Sequence, residues 1–154
     1  IEKNWPQVIT VMTCSRSETL ENLSTFGIDG GISTTDLQMG LLVQELEDPG
    51  IYKVYSELSS NSGGNQIYIS HSTVGSWGEN TQNFSFGCLK IAATQLNLPV
   101  EILGIQKTTH EKPILNPENK LVLASIDHIV YMARKRFDWL GSSSQIREQI
   151  KKMT

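Results

Sequence analysis

Three histidines, two cysteines and one short acidic group are the residues whose types could do chemistry here, and none stands in a spacing that chemistry uses. His71, His110 and His128 fall in no HExxH or comparable ligand pattern, and Cys14 and Cys88 form no CxxC pair. A thiol nucleophile needs a neighbouring base, and the sequence sets none beside either cysteine, so both are read as inert. His71 closes a strand and His110 lies in a polar turn, where each is an ordinary exposed side chain. His128 follows Asp127, which is read as the cap of a turn rather than as the partner that orients an imidazole. No catalytic residue is assigned.

The acidic group Glu45, Glu47 and Asp48 raises a calcium reading. Calcium takes roughly six to eight oxygens, commonly from a loop with a glycine turn. These carboxylates stand where a helix ends, and no DxDxDG pattern follows, so they are read as solvated helix surface and no metal site is assigned. Gly27, Gly30 and Gly31 do not make a GxGxxG fingerprint, and no GxxxxGK[ST] loop occurs. These residues therefore supply no cofactor site of their own, and tight binding of NAD or ATP is not expected of them.

At 154 residues and 38% hydrophobic, the chain has enough material for one ordinary core or two small ones. The net charge of -3 argues against a dedicated nucleic-acid domain, which is usually basic. The charge is unevenly spread. From Arg134 onward six basic residues face two acidic ones, giving +4 and leaving -7 on residues 1–133. Two distant cysteines do not form a secreted disulfide framework and fit a reducing compartment. No apolar run approaches the roughly 20 residues that span a bilayer, and the first residues lack a targeting pattern. The chain opens on Ile1, as an excised piece of a longer protein would.

These residues sit on a recognisable series of elements. Gln7–Met12 is β-branched and reads as a strand, Glu18–Phe26 as a helix capped by Thr13 or Ser15, and Ile28–Ser33 as a second strand or a turn. Together they fit a βαβ unit of a parallel sheet. Thr34 or Thr35 then caps a helix with Leu37, Leu41, Leu42 and Leu46 at three- and four-residue steps. Pro49 opens another, in which Ile51, Val54, Tyr55 and Leu58 share a face. These eight apolar residues either cover the core or make a subunit contact.

Ser59–Asn65 is a polar, glycine-bearing linker. Beyond it, Gln66–Ser70 alternates as a strand and His71–Asn83 is a long polar loop. Phe86, Leu89, Ala92, Ala93 and Leu96 mark a helix capped by Ser85. Strands are expected over Leu98–Ile105, at Pro113–Leu115, and after the Asn116-Pro117 turn through Leu121–Leu123 and Ile126–Met132. This β-α-β-β-β order is an α+β module with its own core, to which Phe86, Leu89, Ile105, Ile129 and Tyr131 contribute. In the last stretch, Arg134-Lys135-Arg136, Lys151 and Lys152 read as a solvated basic tail in preference to a lipid or nucleic-acid patch. Phe137, Trp139 and Leu140 are set to pack, and Gly141–Ser144 resembles a linker before a short or frayed terminal helix.

The order and spacing of these segments resemble the regulator of K+ conductance (RCK) or TrkA family, the cytoplasmic regulatory domains of potassium channels and transporters, and especially calcium-gated and large-conductance members. Val8–Ser33 resembles the last strand-helix-strand of that family's Rossmann lobe. Gly50–Leu58 (GIYKVYSEL) is similar to its crossover helix and hinge. QIYIS, the FSFG opening of a helix, VEILGIQ, ILNPENKL and the strand after Ile126-Asp127 are similar to its carboxy-terminal lobe. The likeness spans residues 8–133.

The resemblance implies an α/β then α+β fold. Residues 1–33 would be the end of a partial Rossmann-like lobe, 34–65 crossover helices and hinge, 66–133 a small β-rich TrkA-C-like regulatory lobe, and 134–154 the basic tail. It further implies a non-enzymatic domain on the cytoplasmic face of the membrane, joining as a homo-oligomer through Leu37, Leu41, Leu42, Leu46, Ile51, Val54, Tyr55 and Leu58. In a full-length parent such pairs would build a gating ring under a pore, with no nucleic acid as partner. The first strands and glycine-rich turn of the Rossmann lobe have no counterpart here, so calcium or a nucleotide is expected only in the complete protein. The alternative is a fragment of a nucleotide-dependent enzyme with a Rossmann-type domain.

Overall fold

Val11–Cys14 (β1) and Gly30–Ser33 (β2) pair in parallel, with Val11 opposite Gly30 and Cys14 opposite Ser33, across the short helix Ser17–Leu20 (α1). The computed structural model describes residues 8–15, 17–20, 25, 27–60, 63–78, 84–108 and 111–153. Most of the helix end expected at Phe26, the loop 79–83 and His110 lie outside the described residues. The chain divides into two units, residues 1–56 and 57–154. It is a mixed α/β protein with a two-stranded parallel and a four-stranded antiparallel sheet.

In the first unit, the helix Thr34–Glu47 (α2) is capped by Ser33, whose hydroxyl accepts from the Asp36 N–H at 3.4 Å. Neither Thr34 nor Thr35 caps it. Thr34 Oγ1 instead donates to the Cys14 carbonyl at 3.2 Å and ties the helix start to the end of β1. Asp48 to Gly50 interrupts the chain, with Gly50 at φ 104°, and the helix Ile51–Ser59 (α3) follows. Pro49 sits in the turn ahead of that helix. Among the described residues of this unit only Ser33 is buried.

The second unit holds the core. Its strands Gln66–Ile69 (β3), Glu101–Gln106 (β4), Ile114–Leu115 (β5) and His128–Ala133 (β6) order as β3-β6-β4-β5, all antiparallel. The helix Phe86–Gln95 (α4) is capped by Ser85, whose hydroxyl accepts from the Cys88 N–H at 3.2 Å. Its opening turn is fixed by a short crossing of chain: the Phe86 N–H donates to the Leu121 carbonyl and that of Gly87 to the Asn119 carbonyl, each at 2.8 Å. A Cβ on Gly87 would stand 2.9 Å from the Asn119 carbonyl oxygen, which explains the glycine after FSF. Phe86, Leu89, Ile105, Ile129 and Tyr131 share one core, as the spacing predicts.

A bulge in β4 corrects the simple alternation. Ile102 stands opposite Tyr131 and Ile105 opposite Ile129, with Gly104 opposite Val130 and the register shifted between Ile102 and Gly104. Residues three apart thus both reach the core, which unbroken period-two pairing forbids. The supposed polar loop is corrected too. Val74–Trp77 forms a 3₁₀ turn with Val74 and Trp77 buried. Residues 134–154 are likewise no detached tail, because the helix Trp139–Lys151 (α5) sends Trp139, Ile146 and Ile150 into the core. Gly141–Ser144 lies inside that helix, whose start is capped by Asp138 accepting from the Gly141 N–H at 2.9 Å.

Leu89 is fully buried, so Leu89→Ala is expected to cost about 2–5 kcal/mol, read as a lowered urea midpoint with reduced amide protection in β4 and β6. Glu111→Ala, at an exposed turn, is expected to stay within about 0.5 kcal/mol. Unchanged protection in the first variant would show that α4 does not pack on the sheet.

Candidate functional site

The helix pair α2 and α3 buries nothing among the described residues, although it is rich in apolar side chains. In α3 the pattern is simple: Ile51, Val54, Tyr55 and Leu58 recur within a stripe about 100° wide. In α2 the four leucines split. At about 100° per residue, Leu37 and Leu41 fall on one side and Leu42 and Leu46 nearly opposite. Met39 and Val43 join the latter, and all four of that group are exposed, Leu46 at 75%. Sequence reasoning missed Met39 and Val43 because it followed leucines rather than angle.

Glu45 joins the two helices. One carboxylate oxygen accepts from the Gly50 N–H and the other from the Tyr52 N–H, each at 2.8 Å. The two donors belong to the orphan N–H groups that open a helix. The Tyr52 bond and then the Gly50 bond hold the Glu45 carboxyl below its ordinary value; burial opposes them to a lesser extent, and the Lys53 charge adds the smallest contribution in the same direction as the bonds. Both Glu45 oxygens are thus engaged in capping the second helix. Among the described residues no cluster of three or more His, Cys, Asp or Glu is placed to hold a metal. In sequence, Cys14-Ser15-Arg16-Ser17 lies between β1 and α1 and contains no glycine.

The second unit presents two concave surfaces. One, of about 580 Å³, is lined by Ile67, Ile69, His71, Gln106, His128 and neighbours. There the His128 ring nitrogen Nδ1 lies 2.7 Å from the Ser70 carbonyl, which only accepts, so Nδ1 carries the proton and Nε2 is left for other partners. Asp127 is buried and its Oδ2 accepts from the Ala124 N–H at 2.7 Å, the turn cap read from the sequence. The other surface, of about 510 Å³, lies where β6 ends and β4 begins, with Arg134, Lys135 and Arg136 on its rim. His71 and His128 meet in the first groove, whereas Cys14 and Cys88 belong to different units.

No helix among the described residues is long and apolar enough to cross a membrane. No family model matches the chain, and no curated protein matches it. Among solved structures, it is similar to the GsuK channel bound to NAD, at 12% identity and a TM-score of 0.36 over 98% of this chain and 24% of that one. It is also similar to the GsuK channel at 12% identity and a TM-score of 0.33, covering 99% and 24%. The crystal structure of the GsuK RCK domain gives 15% identity and a TM-score of 0.34, covering 98% and 29%. The chain thus spans less than a third of each of these chains.

The Glu45 bonds make a pH-dependent cap. A carboxylate whose folded pKa is lowered stabilises fully above the unfolded value, and that contribution disappears as pH falls through the folded midpoint. The ¹³C titration of Glu45 is expected to give a midpoint below 4.5, with Gly50 and Tyr52 amide protection falling below it. A midpoint at or above 4.5 would show that the cap is not made.

Proposed function

We propose that this chain is a non-enzymatic regulatory domain of a potassium channel or potassium transporter, of the RCK type, acting at the cytoplasmic face of the cell membrane as part of a larger membrane protein. The observation that carries this reading is the helix pair. Two successive helices with unburied apolar stripes separate a parallel strand-helix-strand unit from an antiparallel lobe that has its own core. Such helices have little use in a monomer, because contiguous apolar surface is rarely left in water. Their occupant in this reading is the same pair on a second copy, since a two-fold axis brings one patch onto itself.

The work of such a domain is mechanical. A ligand that binds one conformation more tightly shifts the equilibrium by its differential affinity, and the paired helices pass that shift to the pore. Calcium or a nucleotide, such as the NAD bound by the GsuK channel, is proposed as the regulating ligand of the complete protein. The second unit, with its separate core and two concave surfaces, is the proposed sensor.

Sedimentation equilibrium over a wide concentration range is expected to show a dimer. Replacing Val54 and Leu42 together by Asp, both about half exposed and without a core role, is expected to weaken it by about tenfold or more. A chain that stays monomeric throughout would overturn the self-association on which this reading rests.

A further inference from the structure

The rim cations of the second unit have no internal use that explains all three. The ion pairs Lys120–Glu118 and Lys152–Glu148 involve none of Arg134, Lys135 and Arg136. Arg136 is fixed in place: its Nη1 donates to the Ile69 carbonyl at 2.9 Å, and its guanidinium lies 5.0 Å from the centre of the Tyr68 ring. That leaves further N–H groups on a guanidinium already held still. Arg134 and Lys135, both exposed, make no hydrogen bond or ion pair among the described residues.

Beneath these cations the cleft turns apolar. Val100 and Met132 are half-buried against the sheet, beside Pro99. Phe137 is held as a wall, its N–H donating to the Tyr131 hydroxyl at 2.9 Å and its ring meeting Trp139 edge-on at 5.0 Å. The one carboxylate in the lining is Glu101, against three cations. A volume of about 510 Å³ lies in the range of small-molecule sites. An apolar concavity with a few charges of one sign at its mouth selects an amphiphilic anion, since the walls take the body and the rim takes the charge.

We infer that this cleft binds a soluble organic phosphate, its phosphate at Arg134 and Lys135 and its planar or apolar body against Val100, Met132 and Phe137. A bilayer surface is the weaker match, because a headgroup layer meets a flat or convex cationic face and has no use for apolar walls. The inference rests on the regulatory reading for its meaning, as the ligand class of the sensing unit, but the binding itself stands independently. Bound phosphate would couple the end of β6 to the start of β4 and to Arg136 at the β3 edge, the three strands that meet at this end of the sheet.

The test is a titration of the full chain with phenyl phosphate, followed by amide chemical shifts and calorimetry. Saturable shifts are expected at Val100, Glu101 and Met132 and across 134–137. Arg134→Gln with Lys135→Gln is expected to weaken binding by about tenfold or more, two charge-assisted bonds being lost. Inorganic phosphate, lacking the apolar body, is expected to bind at least about tenfold more weakly, and Glu101→Gln to tighten phenyl phosphate by removing the repelling charge. Absence of saturation, equal affinity in the double variant, or shifts confined to other regions would overturn the inference. So would binding only to vesicles of equal parts phosphatidylcholine and phosphatidylserine, which would assign the cations to a membrane surface. A failed titration leaves dimerisation readable by sedimentation, and a monomeric chain leaves the titration readable, so the two readings fail separately.

Discussion

Trp139 is the side chain at which three parts of the second unit meet. Its ring stacks on Trp77 with centres 5.8 Å apart and planes 5° from parallel, and it meets Tyr131 and Phe137 edge-on. Trp77 belongs to the 3₁₀ turn, Tyr131 to β6, and Trp139 itself opens α5. Aromatic groups of this size bury more surface than any other residue type, and offset or edge geometry adds to it. The interaction explains why α5 belongs to the core. Arg147, two turns further along, donates to the Trp77 carbonyl and ties the helix to the same turn.

Much of this was legible in the sequence, and where it was not the reason is physical. Ser85 before a three- and four-residue apolar repeat is an unambiguous helix opening, and α4 is where the pattern places it. The strands around QIYIS and Ile129–Tyr131 show the same clarity. The bulge at β4 was hidden because one inserted residue breaks the alternation on which strand reading depends. Trp77 was hidden among Ser, Gly and Asn, since a single buried ring carries no period. In α5 the run Gly141–Ser144 has weak helix propensity, and burial of Ser143, Ile146 and Ile150 overrides it. Of the candidate site, the eight apolar helix positions were visible, but their division into two sides of α2 was not. The cleft joins residues more than 30 positions apart and has no local signature.

The first unit stands on a different footing. Parallel sheets are normally covered on both faces, yet among its described residues only Ser33 is buried, and β1 and β2 form a sheet of two strands. Local bonds, such as Asp29 accepting from the Thr10 N–H at 2.6 Å, hold the strands in register without supplying a core. If a second copy covers it, as proposed above, its apparent stability would follow the concentration of that copy by mass action. The two halves of the chain need not then unfold together.

Arg136 has one more consequence. The strand β3 lies at the border of the four-stranded sheet, where an uncovered row of backbone groups invites a strand from another molecule. The guanidinium occupies the Ile69 carbonyl there and sets a positive charge over the Tyr68 ring. The opposite border, β5, is two residues long. An arriving chain finds one margin capped at Ile69 and the other only two residues long, so neither border offers a long open ladder to a strand from another molecule.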